Sequence, residues 1–197
     1  MVCKADIEAL RASLKAGVQV VSAPQLFPTP AHIVAQMIAL MDYQPGDNIL
    51  EPSAGTGNIA AEIDSQMRLE CIEINRELFI HLCRRLHCGA WNYQQKHKHH
   101  ATEGDFLAMS PEDLGRFDHI LMNPPFHYDE DIKHIKHATT FLEPGGRLIA
   151  ICANGPRQRK VLKPLAEKSG GGYGPLPHNS FESQGTSVRT ALLVIEG

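Results

Sequence analysis

The sequence predicts a doubly wound α/β domain whose sheet is mostly parallel and ends in an antiparallel hairpin. Short apolar runs alternate with stretches of helical periodicity, which is typical of parallel strands joined by crossover helices. A glycine-containing loop directly follows one of these strands and opens a helix. The chain ends in two strand-like runs, residues 180–182 and 188–195, rather than in a helix.

Composition and charge restrict the classes to which the chain can belong. Its 197 residues, 43% of them hydrophobic, are enough for one domain with a full core. The net charge of −3 gives no overall basic surface for nucleic acid. The sequence has no apolar run of membrane-spanning length, no signal-peptide core and no CxxC pair among its five cysteines. We therefore expect a cytoplasmic protein without a membrane partner and with reduced thiols.

The first half of the chain predicts two helices before the glycine loop. Residues 4–16 have helical spacing, and we assign residues 1–21 to an N-terminal helical extension. A second helix is expected over residues 31–42, with Thr29 as its N-cap and Pro30 at its first position. A strand at residues 48–51 then enters a loop whose glycines allow the backbone to approach a ligand closely.

Acidic residues stand near the carboxyl ends of three predicted strands. Glu51 precedes the glycine loop, Glu73 lies near the end of the strand at residues 68–75, and Asp105 lies at the end of a third strand. Ligands of open α/β sheets bind at this edge, where a carboxylate can accept hydrogen bonds from ribose hydroxyls. The loop lacks the lysine of a phosphate-binding loop, and the acidic Glu51 just before it suits a cationic or hydroxyl-bearing ligand better than a pyrophosphate.

A polar segment rich in histidine and lysine follows the helix predicted over residues 75–87. His97, His99 and His100 have no cysteine or acidic partner at a recognised metal-ligand spacing. We interpret residues 88–100 as a solvated insertion and predict no metal site.

The segment that carries chemistry is Asn123-Pro124-Pro125-Phe126, which follows the apolar strand at residues 117–122. Two prolines end that strand, because proline cannot donate to a sheet and restricts the residue before it. An amide, a turned backbone and an aromatic ring are thereby presented at a strand end. Taken alone, the tetrapeptide is equally compatible with an ordinary turn. After it we expect a helix at 129–142, a strand at 147–152, a helix at 157–168 and a mobile loop at 169–175.

These motifs together resemble the S-adenosylmethionine-dependent methyltransferases, and within them the DNA adenine-N6 branch. In chain order they are Phe27-x-Thr29-Pro30, Glu51-Pro-Ser53-Ala-Gly55-Thr-Gly57, Glu73, Asp105 and Asn123-Pro-Pro-Phe126. The resemblance implies a Rossmann-like sheet of seven strands whose last strand is antiparallel. It also implies one methyltransferase domain over residues 22–197, for which we expect no separate target-recognition domain.

The resemblance implies the cofactor S-adenosylmethionine and a role for each matching residue. Residues bordering its methionine end and sulfonium would be Phe27, Thr29, Pro30, Glu51, Ser53, Gly55 and Gly57. Glu73 would hold the ribose, and Ile74 would pack on the adenine. Asp105 would meet the adenine amine with Phe106 nearby. The catalytic residues would be Asn123, Pro124, Pro125 and Phe126, of which Asn123 would also touch the cofactor.

The tetrapeptide suits methylation of an exocyclic amine. The Asn123 side-chain oxygen and the Pro124 carbonyl can accept hydrogen bonds from the two N–H groups of adenine N6, which directs the nitrogen lone pair toward the methyl group. Phe126 supplies a ring on which an extruded base stacks. Because no Pro-Cys pair is present, cysteine-mediated attack on cytosine carbon is set aside.

Several alternatives to DNA methylation stay open. His127 follows the tetrapeptide as in ribosomal RNA guanine-N2 enzymes, which makes RNA the second candidate substrate. A protein glutamine methyltransferase is disfavoured by the short segment before the core, and an inactive cofactor-binding subunit is the non-enzymatic alternative. Recognition of DNA would come from the loops at 88–100, 127–132 and 154–179, from a separate specificity subunit or homo-oligomer, or would be weak and relaxed.

Overall fold

The computed structural model of the protein describes residues 27–87 and 99–197. The predicted N-terminal extension and most of the histidine-rich segment lie outside the described residues. The strands are β1 (Asn48–Pro52), β2 (Arg68–Glu73), β3 (His99–Glu103), β4 (Phe117–Met122), β5 (Leu142–Ala153), β6 (Gly172–Pro175) and β7 (Thr190–Glu196). The α-helices are α1 (Ala31–Ala39), α2 (Arg76–Arg85), α3 (Pro111–Leu114), α4 (Glu130–Ala138) and α5 (Pro156–Lys168).

The seven strands form one sheet in the order β3-β2-β1-β4-β5-β7-β6. Strands β1 to β5 pair in parallel, whereas β7 is antiparallel to both β5 and β6. The predicted fold class is therefore confirmed, including its antiparallel C-terminal hairpin. From β1 the chain proceeds toward β3 on one side, and from β4 toward β5 on the other. The sheet thus has a topological switch point between β1 and β4, where ligands of such folds bind.

Both faces of the central sheet are buried, as is usual when crossover helices cover a parallel sheet. Successive residues of β4 enter opposite cores: Ile120 and Met122 pack with α4 and α5, whereas Leu121 packs with α1. Since β4 leads straight into Asn123, that residue follows a strand held by packing on both sides.

Helix α1 begins where the sequence predicts, but Thr29 is not its N-cap. Pro30 occupies the cap position, and no side chain caps the helix. The Thr29 hydroxyl instead accepts a hydrogen bond from the distant Asn123 amide. The helix also ends at Ala39, three residues earlier than expected. The N-cap assignment was wrong because a tertiary partner takes the hydroxyl that a local cap would use.

The C-terminal hairpin uses a different partner strand from the one predicted. The segment expected to be a mobile loop contains the edge strand β6, and residues 180–182 do not form a strand. A side chain at Gly171 would place its Cβ 2.0 Å from the Val194 carbonyl oxygen, so only glycine fits there. The glycine run therefore reflects close backbone approach, which sequence composition alone does not distinguish from a mobile loop.

Two further boundaries differ from the expectation. The helix predicted over residues 129–142 stops at Ala138 and continues as the short 3-10 turn Thr139–Phe141. His99 and His100 are not part of a loop, because they begin β3 and pair with Leu69 and Glu70. The third strand ends at Glu103, which places Asp105 two residues beyond it.

Candidate active site

A cavity of about 420 Å³ lies at the carboxyl edge of the parallel strands, lined by the segments that follow β1 to β4. The predicted site residues that line it are Phe27, Thr29, Glu51, Ser53, Gly55, Glu73, Ile74, Asp105, Phe106, Asn123, Pro124, Pro125 and Phe126. Residues separated by nearly one hundred positions thus meet around one space. This is the place where the strand order reverses.

Pro30 and Gly57 shape the cavity from outside its wall. Pro30 starts helix α1, and its carbonyl accepts hydrogen bonds from the main-chain N–H groups of Ile33 and Val34. Gly57 has a φ of +73°, and a Cβ built on it would lie 2.6 Å from Leu82 Cδ1 of α2. Its lack of a side chain therefore lets the loop after β1 pack closely against that helix.

Glu73 connects the glycine loop to the end of β2. One carboxylate oxygen accepts a hydrogen bond from the Gly55 N–H over 2.7 Å, and the other accepts one from the Asn75 N–H over 2.7 Å. The residue is 5% exposed. The two charge-assisted bonds fix the loop relative to β2 before any ligand is bound.

Glu51 is a buried acid in the wall of the cavity, 3% exposed. Burial raises the pKa of its carboxyl from 4.5 to about 8, and the neighbouring Glu73 charge contributes in the same direction. Its side chain lies 3.9 Å from Cys71 Sγ. A neutral acid results at pH 7, and a cation placed beside it would favour its ionised form.

Asn123 is held in one orientation by two acceptors from the segment before α1. Its Nδ2 donates to the Phe27 carbonyl over 2.9 Å and to Thr29 Oγ1 over 3.1 Å. Because a carbonyl can only accept, the nitrogen of the amide must face Phe27. The other side of the amide, Oδ1, is buried and has no hydrogen-bond partner in the described part of the chain. Such an orphaned acceptor is costly unless a donor is supplied.

Asn58 belongs to the site but was not predicted. Its Nδ2 donates to the Thr29 carbonyl over 3.1 Å, and its Oδ1 accepts from Arg85 of α2 over 2.7 Å. The residue therefore joins the glycine loop to the segment that orients Asn123. The signal in the sequence is an amide placed directly after the second loop glycine.

Helix α4 contributes two further cavity residues that were not predicted from the sequence. Glu130 and His134 line the cavity, and His134 Nδ1 lies 3.0 Å from the Glu130 carbonyl oxygen. The His134 ring stacks near Phe106, with centroids 6.2 Å apart and planes inclined by 17°. The available signal is a pair of polar residues at i, i+4 on the helix that follows the tetrapeptide.

Asp105 is exposed and accepts a hydrogen bond from the Leu107 N–H over 3.0 Å, which caps a short 3-10 turn. This local role accompanies its place in the cavity wall. Ile74 is 66% exposed beside it, an unusual position for a bare isoleucine side chain. Both residues therefore leave accessible surface in the cavity wall.

The described ranges 27–87 and 99–197 contain no group of three His, Cys, Asp or Glu side chains suited to a metal ion. His97, one of the histidines weighed in the sequence, lies outside these ranges. Within the same ranges, no helix is long and apolar enough to cross a membrane.

Comparison with known proteins gives one family match. The model of the methyltransferase small domain family matches residues 32–169. A search of curated protein sequences gives no match.

Solved structures share the fold at low sequence identity. A Listeria monocytogenes protein described as a class I S-adenosylmethionine-dependent methyltransferase is 18% identical, with a TM-score of 0.66 over 96% of this chain and 66% of its own. A Pyrococcus horikoshii protein described as an RNA methyltransferase is 16% identical, with a TM-score of 0.64 over 100% of this chain and 97% of its own. A Vibrio vulnificus protein described as the modification subunit of a type I restriction enzyme is 16% identical, with a TM-score of 0.62 over 100% of this chain and 50% of its own. The chain spans just under two thirds of the Listeria protein and half of the Vibrio protein.

Proposed function

Because the chain belongs to the methyltransferase small domain family, we propose that it methylates an exocyclic amine of a nucleic acid, specifically adenine N6 in DNA. The cofactor is S-adenosylmethionine, which when bound supplies a methyl group from its sulfonium. We propose that the methyl acceptor is an exocyclic amine, that the base is adenine and that the polymer is DNA.

One observation carries the proposal of an amine acceptor. Within residues 27–87 and 99–197, Asn123 Oδ1 is a buried acceptor without a partner, fixed in direction by the two hydrogen bonds that Nδ2 donates. A substrate group that fits must bring an N–H or O–H donor to it. The amino group of adenine brings two N–H donors, and we assign the second to the carbonyl of Pro124, which lines the same cavity.

The two acceptors act on the transition state more than on the ground state. The lone pair of an exocyclic amine is delocalised into the ring, so the free amine is a poor nucleophile. Hydrogen bonds from both N–H groups favour a tetrahedral nitrogen, and they strengthen as positive charge develops on it. Phe126 provides a face for the base, and holding the reactants in line contributes much of the acceleration.

The residues around the rest of the cavity fit the cofactor. The buried Glu51 carboxyl, whose pKa is raised by desolvation, suits a ligand that carries a sulfonium and an ammonium group. Each Glu73 oxygen receives one main-chain N–H and keeps acceptor capacity for ribose hydroxyls. We propose the exposed Ile74 and Asp105 for the adenine ring and its amine, respectively.

DNA is favoured over RNA by the motifs before and within the glycine loop. The Phe27-x-Thr29-Pro30 element and the Glu-Pro-Ser form of the loop are features of the DNA adenine branch that the chain resembles. His127 favours the second candidate, an RNA amino-methyltransferase, and the Pyrococcus protein described in that way shares the fold over nearly its full length. With a net charge of −3, we expect relaxed DNA recognition or help from a partner subunit.

Mass spectrometry of nucleosides tests the proposal. DNA and RNA are incubated separately with the protein and S-adenosylmethionine, then digested to nucleosides. We expect N6-methyldeoxyadenosine from DNA, and its absence from a parallel reaction with Asn123→Ala excludes a contaminating enzyme. If methylated guanosine is found, and only in RNA, adenine in DNA is refuted as the substrate and the second candidate, an RNA amino-methyltransferase, takes its place. No methylated nucleoside from either polymer would refute a nucleic-acid substrate.

A further inference from the structure

The turn that follows the catalytic tetrapeptide is strained and presents an aromatic ring to solvent. Tyr128 and Asp129 have φ values of 51° and 61°, so two successive residues other than glycine are left-handed. Tyr128 is 78% exposed, which means that burial of its ring does not offset the strain. Strained backbone of this kind concentrates at binding and catalytic sites.

Two carboxylates anchor this turn to the neighbouring strand and helix. Asp129 accepts a hydrogen bond from Arg157 Nη1 over 2.7 Å. Asp131, which is fully buried, accepts from the Ala153 N–H over 2.9 Å and from Gln158 Nε2 over 3.1 Å. On its other side the turn continues from Phe126 in the cavity wall. The turn that bears the exposed ring is therefore anchored on one side, and on the other it continues directly from the cavity wall.

A basic segment of the chain lies at the same edge of the molecule, beside the acidic residues of the cavity. Residues 154–163 contain four Lys or Arg residues and no Asp or Glu. Strands β4 and β5 are parallel neighbours, so the start of α5 lies at the edge where Asn123 stands. Of the acids near the turn, Asp129 is paired with Arg157, and Glu130 is paired with Lys133 over 2.6 Å. Arg157 remains 77% exposed at its side chain.

We infer that Tyr128 and the first turns of α5 form the surface that docks the nucleic-acid strand carrying the methyl acceptor. Tyr128 stacks on the base next to the target, and Arg157, Arg159 and Lys160 contact the flanking phosphates. The inference rests on the proposed function and names how that substrate is held. The His127 ring lies next to the Tyr128 ring. Base stacking on aromatic rings together with cation–phosphate contacts is the usual way to hold an unpaired strand.

The test compares Tyr128→Ala with Tyr128→Phe and with Tyr43→Ala, which removes a tyrosine from the turn between α1 and β1 at the opposite edge. KM for an adenine-containing oligonucleotide, Kd for the same oligonucleotide and Kd for S-adenosylmethionine are measured for each. We expect Tyr128→Ala to raise the oligonucleotide KM and Kd about tenfold or more, with cofactor binding unchanged. Tyr128→Phe keeps the ring and should behave as the wild type, as should Tyr43→Ala.

Two further variants separate docking from folding. Tyr128→Gly relieves the left-handed strain, so it should unfold at a higher temperature than Tyr128→Ala and still bind the oligonucleotide weakly. Lys160→Gln should reduce the slope of log Kd against log salt by about one. Its effect on Kd should be the same for oligonucleotides of different sequence.

The outcomes distinguish this inference from the proposed function. If the wild type methylates DNA or RNA and Tyr128→Ala has an unchanged KM, the docking surface is refuted and the proposed function stands. If the wild type neither binds nor methylates either polymer, the docking surface and the proposed function are both refuted. If a protein is the methylated substrate and only its KM responds to Tyr128→Ala, the nucleic-acid occupant is refuted.

Discussion

Asn123 Nδ2 donates to the main-chain carbonyl of Phe27 over 2.9 Å, although 96 positions separate the two residues along the chain. This bond settles the orientation of the amide, because Nδ2 must face the Phe27 carbonyl and Oδ1 is left on the opposite side. In the function we propose, the chain before α1 would act in catalysis as well as in cofactor binding, because it orients the Asn123 amide so that an acceptor rather than a donor is left for the substrate.

Replacing Asn123 by alanine should abolish methyl transfer and leave cofactor binding largely intact. The variant removes the orphaned acceptor but none of the carboxylates proposed for the cofactor. We expect turnover to fall at least about 100-fold, while Kd for S-adenosylmethionine changes little in calorimetry. Gln44→Ala, at an exposed amide in the turn between α1 and β1, is the matched control and should retain full turnover. Full activity of Asn123→Ala would end the assignment of this residue as catalytic.

Thr29→Val should reduce turnover by about five- to tenfold, since one hydrogen bond of about 1 kcal/mol orients the amide. The substitution keeps the shape of a side chain that is 4% exposed and removes only the oxygen that accepts from Asn123. Thr29→Ser restores that oxygen and should restore turnover. For Thr29→Val we expect kcat to fall and KM for the cofactor to stay the same. A changed cofactor KM with a normal kcat would assign Thr29 to cofactor binding alone.

Gly57→Ala should destabilise the protein more than Gly185→Ala does. The two glycines have nearly the same φ, +73° and +76°, so both substitutions carry a similar conformational cost. Only at Gly57 does the new Cβ also meet Leu82, at 2.6 Å, whereas nothing lies within 4 Å at Gly185. Urea unfolding of both variants isolates the steric part, which we expect to be about 1–3 kcal/mol. Equal losses would mean that the end of the Leu82 side chain shifts aside at little cost.

Glu51 should make stability and cofactor affinity depend on pH in opposite directions. Its pKa is raised by burial to about 8 in the folded state, above the ordinary 4.5, so the proton favours folding. This contribution to the free energy of unfolding is fully present below pH 4.5 and is lost as pH rises through about 8. Compared with Glu51→Gln, the wild type should therefore become relatively less stable between pH 5 and pH 8.5 in urea unfolding.

The cationic cofactor reverses this dependence, because it favours the ionised carboxyl. Affinity of the wild type for S-adenosylmethionine should rise with pH toward 8, and binding at pH 7 should release a proton. Calorimetry in two buffers of different ionisation enthalpy measures that release, and Glu51→Gln should not show it. Proton release that persists in Glu51→Gln would place the titrating group elsewhere.

Much of the architecture follows from local sequence patterns. The apolar run at residues 117–122 is a strand with the predicted bounds, because burial on both faces requires a continuous apolar segment. The residues expected at strand ends meet in one cavity, since the carboxyl ends of parallel strands share an edge of the sheet. Motif and topology together predict where the site lies.

What the sequence could not predict depends on distant partners. Thr29 has the form of an N-cap, and nothing local indicates that its hydroxyl instead accepts from Asn123. The glycines before Pro175 suggest mobility, although at Gly171 the missing side chain makes room for the Val194 carbonyl. His134 was missed for the same reason, because its place in the cavity depends on how α4 lies against Phe106.

Hydrogen bonds connect Arg85 to Asn58, Asn58 to Thr29, and Thr29 to Asn123. Helix α2, the loop after β1 and the segment before α1 are therefore held together around Asn123 by the protein itself. Under the proposed function, a single inhibitor that joins an adenosine to an amino-purine through a short linker would meet an Asn123 amide that is already in position. Such a compound loses little affinity to reorganisation of the protein, so the linker length alone should decide how tightly it binds.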